Sequence, residues 1–393
     1  MAAKKEKRRP KAGRASPSKS RQVNVAASFD VRSWASKPGL TTEYTSAIGA
    51  AVVGNSDKVL TSRAGKGLVG RVQLVFTSPP FPLNRKKKYD NLEGKAFLKW
   101  LRGYAQPLRD LLRPDGSIVI EMGNAWKPGV PVMSTLAIET LLSFMKAAKL
   151  HLIQEFIWFN PARLPTPAQW VTIERIRVKD AFTRLWWLAP STNPKADNRR
   201  VLAPYSGSMN TLLETGKYNS GRRPSEHVIN PKSFLTDNGG AIPPNVLVLE
   251  DDRQPASNLL IGANTNGNDA YQMFCKSRGL ELHPARMPMG LAKFFINLCT
   301  DPGDLVVDPF GGSNTTGAAA EELGRPWIAI EANREYARGG RGRFPELASE
   351  VPPIVLVDSK QSHPGKPAQR NSEQKLTGAK PRKANKQKSV APR

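Results

Sequence analysis

The chain has 393 residues, enough for one large α/β domain with an insertion or for two modest domains, and its 59 Lys and Arg against 33 Asp and Glu give a formal net charge of +26. Two cysteines, Cys275 and Cys299, exclude a disulfide framework and point to a reducing cytoplasm. Four histidines without metal-ligand spacing argue against a zinc site, and the lack of a long apolar run or an apolar N-terminal core argues against membrane insertion and secretion.

The positive charge is concentrated at the ends. Residues 1–23 hold nine Lys or Arg and one Glu, and residues 359–393 hold ten and one. Both stretches are rich in Ala, Pro, Ser and Gln, so 1–37 and 351–393 are expected to be disordered basic tails attracted to phosphates, with affinity that falls as salt rises.

Val52 to Leu60 is expected to be a short strand and turn. Residues 74–83, L-V-F-T-S-P-P-F-P-L, form an apolar strand that stops at Ser78-Pro79-Pro80-Phe81. Two prolines fix two φ angles and remove two donors, so the turn's carbonyls and hydroxyl become preset acceptors, and Phe81 offers a face for a flat ring. An ordinary strand-ending turn would read the same in isolation. Asn84 to Lys88 form a basic patch just beyond it. Helical spacing of Phe97, Leu98, Leu101, Leu108, Leu111 and Leu112 predicts a helix over 95–112, stopped by Pro114-Asp115-Gly116. Ser117 to Met122 read as a buried strand with Gly123-Asn124 at its pocket end. A helix near 133–148 and strands at 152–159 and 181–188 follow, with Trp158 and Phe159 on opposite strand faces.

Composition changes at Pro190. Polar, Pro, Gly and Asn-rich stretches run to about 280, with short apolar pieces at 200–205, 232–236 and 245–249 able to anchor a small irregular subdomain. The segment 301–316, D-P-G-D-L-V-V-D-P-F-G-G-S-N-T-T, then gives a turn, a strand from Leu305 to Val307, Asp308 at its carboxyl end, the Gly311-Gly312 turn, and a helix opening among Ser313, Asn314 and Thr315. Glycines let backbone amides approach a ligand, and a helix start offers N–H groups to an anion. A second strand, 327–330, ends in Glu331, 23 residues after Asp308, the place where a βαβ unit presents a carboxylate to ribose hydroxyls. No dinucleotide fingerprint or P-loop is present, which disfavours nicotinamide dinucleotides and ATP.

Together these segments resemble the S-adenosylmethionine-dependent amino-methyltransferases of DNA. T-S-P-P-F is similar to their catalytic motif in its cytosine-N4 form, and D-P-F-G-G-S-N-T to their methionine-binding loop. The catalytic motif precedes the cofactor loop, which is the circularly permuted beta-group order; Q-E-F-I-W-F-N-P-A-R-L-P at 154–165, R-I-R-V-K-D at 175–180 and H-P-A-R-M-P at 283–288 are similar to the PvuII-type group. The resemblance covers residues 50–345. It implies a Rossmann-like α/β sheet with a catalytic half at 38–190, a target-recognition insertion at 191–280 and a cofactor-binding half at 281–350. It also implies double-stranded DNA as partner, S-adenosylmethionine as methyl donor, no metal, and monomeric action with a dimer as the alternative, in the cytoplasm on the nucleoid. Ser78 and the Pro79 carbonyl would accept from the target amine, with Pro80 and Phe81 completing the motif. Asp308 would order the methionine amine or the loop around it. Pro309, Phe310, Gly311, Gly312, Ser313, Asn314 and Thr315 would hold the methionine end and Glu331 the ribose, with His283 and Pro284 closing the pocket. Relatives often carry G-D-S where this chain has Gly54-Asn55-Ser56, making Asn55 a candidate adenosine contact. An adenine-N6 enzyme of the same fold and a catalytically idle DNA-binding protein are the alternatives.

Overall fold

The structure is a computed structural model that describes residues 28–81, 92, 94–217, 221–222, 224, 228–229, 234–248 and 269–349. The strands are β1 (Thr41–Thr45), β2 (Gly49–Val53), β3 (Val72–Thr77), β4 (Leu112–Met122), β5 (His151–Phe159), β6 (Phe182–Ala189), β7 (Gly221–Arg222), β8 (Val228–Ile229), β9 (Val246–Val248), β10 (Leu305–Asp308) and β11 (Trp327–Glu331). Nine of them form one sheet in the order β1-β2-β11-β10-β3-β4-β6-β5-β9, while β7 and β8 pair separately.

Strands β2, β11, β10, β3 and β4 run parallel to one another, while β1 is antiparallel to β2 and β6 to β4. Parallel strands are buried on both faces, which explains why these segments read as continuous apolar runs. Alternate residues supply two cores. Val75, Ile118, Ile120, Val307, Ile328 and Ile330 face one side, packed under the helices Gly94–Leu111 and Leu136–Ala148. Leu74, Phe76, Val119, Val306 and Ala329 face the other, under the helices Met289–Cys299 and Thr315–Glu322. The chain leaves β10 for β11 on one side and β3 for β4 on the other. The carboxyl ends of β10 and β3 therefore frame a topological switch point, where open α/β sheets bind ligands.

Several elements differ from the sequence expectation. Residues 28–37 are not part of a tail: Val31–Ala35 is a helix, and the buried Trp34 indole donates to the Ala64 carbonyl at 2.9 Å. Fully burying such a side chain is worth roughly 1.5–3 kcal/mol, enough to hold a five-residue helix in place. Of the short strand and turn expected over 52–60, the strand ends at Val53 and the turn is the helix Ser56–Thr61, because Val59 and Leu60 reach the core on adjacent positions of a helix turn. Pro114-Asp115-Gly116 does not separate helix from strand. The helix ends at Leu111, β4 begins at once, and these residues bulge between Leu112, paired with Val72, and Ser117, paired with Leu74.

The interval 191–280 is tied to the sheet at both of its ends. Arg200 pairs with Asp301 at 2.7 Å and Lys195 with Asp304 at 2.5 Å. The helix Ala270–Ser277 packs so closely on Gly342 that a Cβ there would lie 2.4 Å from the Phe274 Cβ. Val246–Val248 extends the large sheet beside β5 instead of anchoring a separate subdomain. The basic patch at 84–88, the tails at 1–27 and 350–393, and most of the polar stretches at 219–225 and 262–269 lie outside the described residues.

Candidate active site

A cavity of about 1380 Å³ opens at the switch point. Ser78, Pro79, Pro80 and Phe81 line it from the end of β3, and Asp308, Pro309, Phe310, Gly311, Gly312, Ser313, Thr315 and Glu331 from the ends of β10 and β11. His283, Pro284 and Asn55 also reach its wall, so segments more than 200 residues apart in the chain meet in one space. Of the residues expected to contact target or cofactor in the motifs, Asn314 does not line it, and neither does the Gly123-Asn124 pair expected at the pocket end of β4. Asn314 sits behind the loop in a left-handed conformation (φ 56°), caps the following helix through Gly317 N, and donates to the Tyr44 hydroxyl at 2.8 Å.

Asp308 is buried and accepts hydrogen bonds from three protein donors. One carboxylate oxygen accepts from the Thr77 hydroxyl at 2.7 Å and from Phe310 N at 3.0 Å, and the other from the Thr316 hydroxyl at 2.7 Å. These bonds brace the loop that follows it. Thr77 is the first residue of T-S-P-P-F, so this carboxylate also pins that turn to the D-P-F-G-G loop. Burial raises the Asp308 pKa, opposed by those same three bonds.

The glycine turn leaves no room for side chains. Gly312 has φ +51°, and a Cβ on it would lie 3.1 Å from His283 Nε2. A Cβ on Gly311 would lie 3.0 Å from the Ala329 Cβ. Gly312 N donates to one Glu331 oxygen at 2.8 Å and Asn333 N to the other at 2.8 Å. A carboxylate has about four acceptor positions, so Glu331, which the Ala332 N–H also approaches, retains capacity for a ligand hydroxyl. Arg343 holds the loop from behind, donating to the Ser313 carbonyl at 2.7 Å and to its hydroxyl at 3.1 Å. Opposite the loop, Phe310 meets Trp100 and Tyr104 of the helix Gly94–Leu111 at ring-centroid distances of 5.4 and 5.1 Å. These rings, with Phe97, give the cavity an aromatic wall suited to a flat heterocycle. The backbone cradle, the Glu331 carboxylate and this wall suit the carboxylate, ribose and adenine of S-adenosylmethionine.

The other end of the cavity holds a residue that the sequence reading passed over. Thr77 pairs with Ile120, and continuing that parallel register by one sets Ser78 beside Glu121. The Ser78 hydroxyl stands near enough to the Glu121 carboxylate to favour its charged form. Glu121 is 5% exposed and lines the cavity. Burial pushes its pKa up to about 7, against the lowering effects of Ser78 and of the nearby Arg163 charge. Arg163 also lines the cavity, held by the Phe182 carbonyl at 3.0 Å and by the Thr183 hydroxyl. Phe81 lies over Gly123, where a Cβ would come within 2.7 Å of its ring. Trp158 is buried and also reaches the cavity wall, while Phe159 is only partly buried. A single acid within S-I-V-I-E-M was the available signal for Glu121, since an unpaired charge is costly inside a parallel strand.

A family model described as DNA methylase matches residues 72–340. The chain is 41% identical over 324 residues to the type II methyltransferase M.PvuII of Proteus hauseri, covering 82% of this chain and 90% of that protein. A shorter match, 41% identical over 91 residues and 31% of the relative's length, is to the DNA adenine methyltransferase YhdJ of Escherichia coli K12. Among solved structures, the cytosine-N4-specific PvuII DNA methyltransferase superposes with a TM-score of 0.60 and 35% identity, over 78% of this chain and 89% of that one.

Proposed function

The chain belongs to the DNA methylase family, and on that premise we propose that it transfers a methyl group from S-adenosylmethionine to the exocyclic N4 of cytosine in a specific duplex sequence. The observation that carries the reading is the junction at the switch point: Asp308 ties Thr77 to the cofactor loop, so the acceptor Ser78 and the Gly311-Gly312 cradle hold fixed positions relative to each other. Likeness to the cytosine-N4-specific PvuII enzyme over most of the chain supports N4. A restriction-modification setting and a solitary one suit the chain equally, and the reaction takes place on DNA in the cytoplasm.

The target amine is buried in Watson–Crick pairing, so the base must leave the stack at a cost of roughly a few kcal/mol. Phe81, seated on Gly123, stacks on the extruded ring. The amine's lone pair is conjugated with that ring and is a poor nucleophile. Hydrogen bonds from its hydrogens to the Ser78 hydroxyl oxygen and the Pro79 carbonyl favour a tetrahedral nitrogen and aim the lone pair along the cavity. The donor supplies the methyl on a sulfonium that leaves as a neutral thioether. Methyl transfer leaves a positive nitrogen that must shed one proton. Ser78 hands that proton to Glu121, whose pKa near 7 lets it accept from an acidic ammonium and release to solvent near neutral pH. Holding both reactants in line provides much of the acceleration. Asp308 and the 309–315 loop order the methionine end, Glu331 takes the ribose hydroxyls, and His283 and Pro284 cover the donor.

Incubating the protein with plasmid DNA and labelled S-adenosylmethionine, then digesting to nucleosides, tests the reading. N4-methylcytosine is the expected product. N6-methyladenine alone would transfer the assignment to the adenine branch, and no label in DNA would remove the enzymatic reading.

A further inference from the structure

Exposed aliphatic side chains scattered singly are ordinary on a protein surface. Here four of them crowd one short segment: Leu164 is 78% exposed, Ile173 67%, Ile176 48% and Val178 86%. The same segment carries Arg175, Arg177 and Lys179. Arg177 donates to the Pro131 carbonyl and Lys179 to the Pro161 carbonyl, and among the described residues none of the three pairs with a carboxylate. The surface is thus apolar and cationic together, a combination suited to a polyanion with apolar faces in its interior.

Leu164 stands out within it by position. It directly follows Arg163, a residue of the cavity wall, and its own side chain is left to solvent. Its backbone is braced. Pro161 and Pro165 flank it, Ala162 N and Arg163 N bond Asn160, and Asp180 N closes on the Thr166 carbonyl at 3.1 Å. Arg163 anchors the same arm to Phe182. Ordering a side chain on insertion costs free energy, and a braced arm has already met most of that cost.

Extruding a base leaves a gap between its neighbouring pairs, and aliphatic side chains of this size are able to wedge between base steps. We propose that Leu164 enters the duplex in place of the extruded nucleotide, with Arg175, Arg177 and Lys179 seating the flanking phosphates. The proposal rests on the methyltransferase reading above. It deepens that reading by naming a residue that lies outside the cavity and touches neither reacting group.

The test uses the full chain and duplexes built around the site mapped from methylated plasmid. One duplex is fully matched, one sets the target cytosine opposite an abasic site, and one carries 2-aminopurine at the target. Leu164→Ala should lower kcat/KM at least tenfold on the matched duplex and reduce the 2-aminopurine fluorescence rise. On the abasic-opposed duplex, where the gap is already open, it should stay within about threefold of the parent. Leu164→Met should restore the matched rate, and S-adenosylmethionine affinity should not change in either variant. Equal losses on both duplexes, parental behaviour of Leu164→Ala on the matched duplex, or the selective defect appearing in Val178→Ala instead would overturn the assignment. A parent protein that methylates no base would overturn the functional reading first, and the wedge with it.

Discussion

Two buried carboxylates stand at the ends of neighbouring parts of one sheet, and they serve opposite ends of the cavity. Asp308, at the glycine turn, accepts three protein hydrogen bonds from fixed donors. Glu121, on the target side, has the Ser78 hydroxyl and the field of Arg163, and its pKa stands at about 7. The difference teaches that burial alone does not define a reactive acid. The number of fixed donors decides whether a buried carboxylate holds a loop in place or remains able to take a proton.

If that contrast is right, removing Asp308 should do the most damage. Asp308→Ala leaves the Thr77 and Thr316 hydroxyls and Phe310 N without their acceptor, at roughly 1–3 kcal/mol for each buried group left unpaired. A large drop in melting temperature together with loss of S-adenosylmethionine binding is expected, measured by calorimetry. A variant that melts like the parent and binds the donor normally would show that the loop is held by something else.

Ser78→Ala should be structurally mild and catalytically severe. It removes an acceptor needed most as the amine rehybridises, so kcat should fall more than KM rises. One such contact is worth about 2–4 kcal/mol, or roughly 30- to 1000-fold in rate. Full kcat in this variant would reduce residues 78–81 to a strand-ending turn.

Much of the cofactor side was legible in the sequence because its logic is local. Strand, Asp308, glycine turn, helix, strand and Glu331 follow one another within a single βαβ unit, and each residue type has a reason at its own position. Glu121 was not legible in this way. Its partner lies 43 residues earlier in the chain, and only the register Thr77 to Ile120 brings the two together. Trp100 and Tyr104 were missed for a related reason. Their spacing marks a helix face, but which loop that face meets is set by the crossover from β3 to β4. The short helix at 56–61 was read as the turn after a strand because a single turn of helix and a loop bury two apolar residues in much the same sequence pattern.

The pH dependence of Glu121 runs with opposite signs in stability and in activity. Glu121 has a folded-state pKa raised from 4.5 to about 7, so between those values the folded chain binds more protons at this site than the unfolded chain does. Stability from this group is therefore present at low pH and declines as pH rises through that window. Activity should move the other way, rising through about pH 7 as Glu121 becomes able to accept the proton. Glu121→Gln should flatten both curves, giving a protein that is less active yet relatively more stable above pH 7. Unfolding titrations and kcat–pH profiles on the two proteins decide this. An unchanged acidic limb of the rate profile in Glu121→Gln would assign the proton to another group.

The smallest effect tests whether the target side needs its ring as closely seated as the cofactor side needs its loop. A Cβ on Gly123 would lie 2.7 Å from Phe81 Cδ2 and 2.8 Å from Cε2, too close for the ring to stay where it is. Because the obstruction is an aromatic edge at the cavity wall rather than backbone, the ring has somewhere to go, and Gly123→Ala should fold. Stacking on an extruded base is worth roughly 1–3 kcal/mol when lost completely, as in Phe81→Ala. A tilted ring forfeits only part of that, so Gly123→Ala should raise KM for DNA severalfold, keep most of kcat, and leave donor affinity alone. In the double variant Gly123→Ala with Phe81→Ala the added methyl has no ring to displace, so its cost should vanish. A double-variant penalty equal to the sum of the two single ones would mean that Gly123 acts through Ser78 and Glu121, and that the seat of Phe81 is not what the glycine provides.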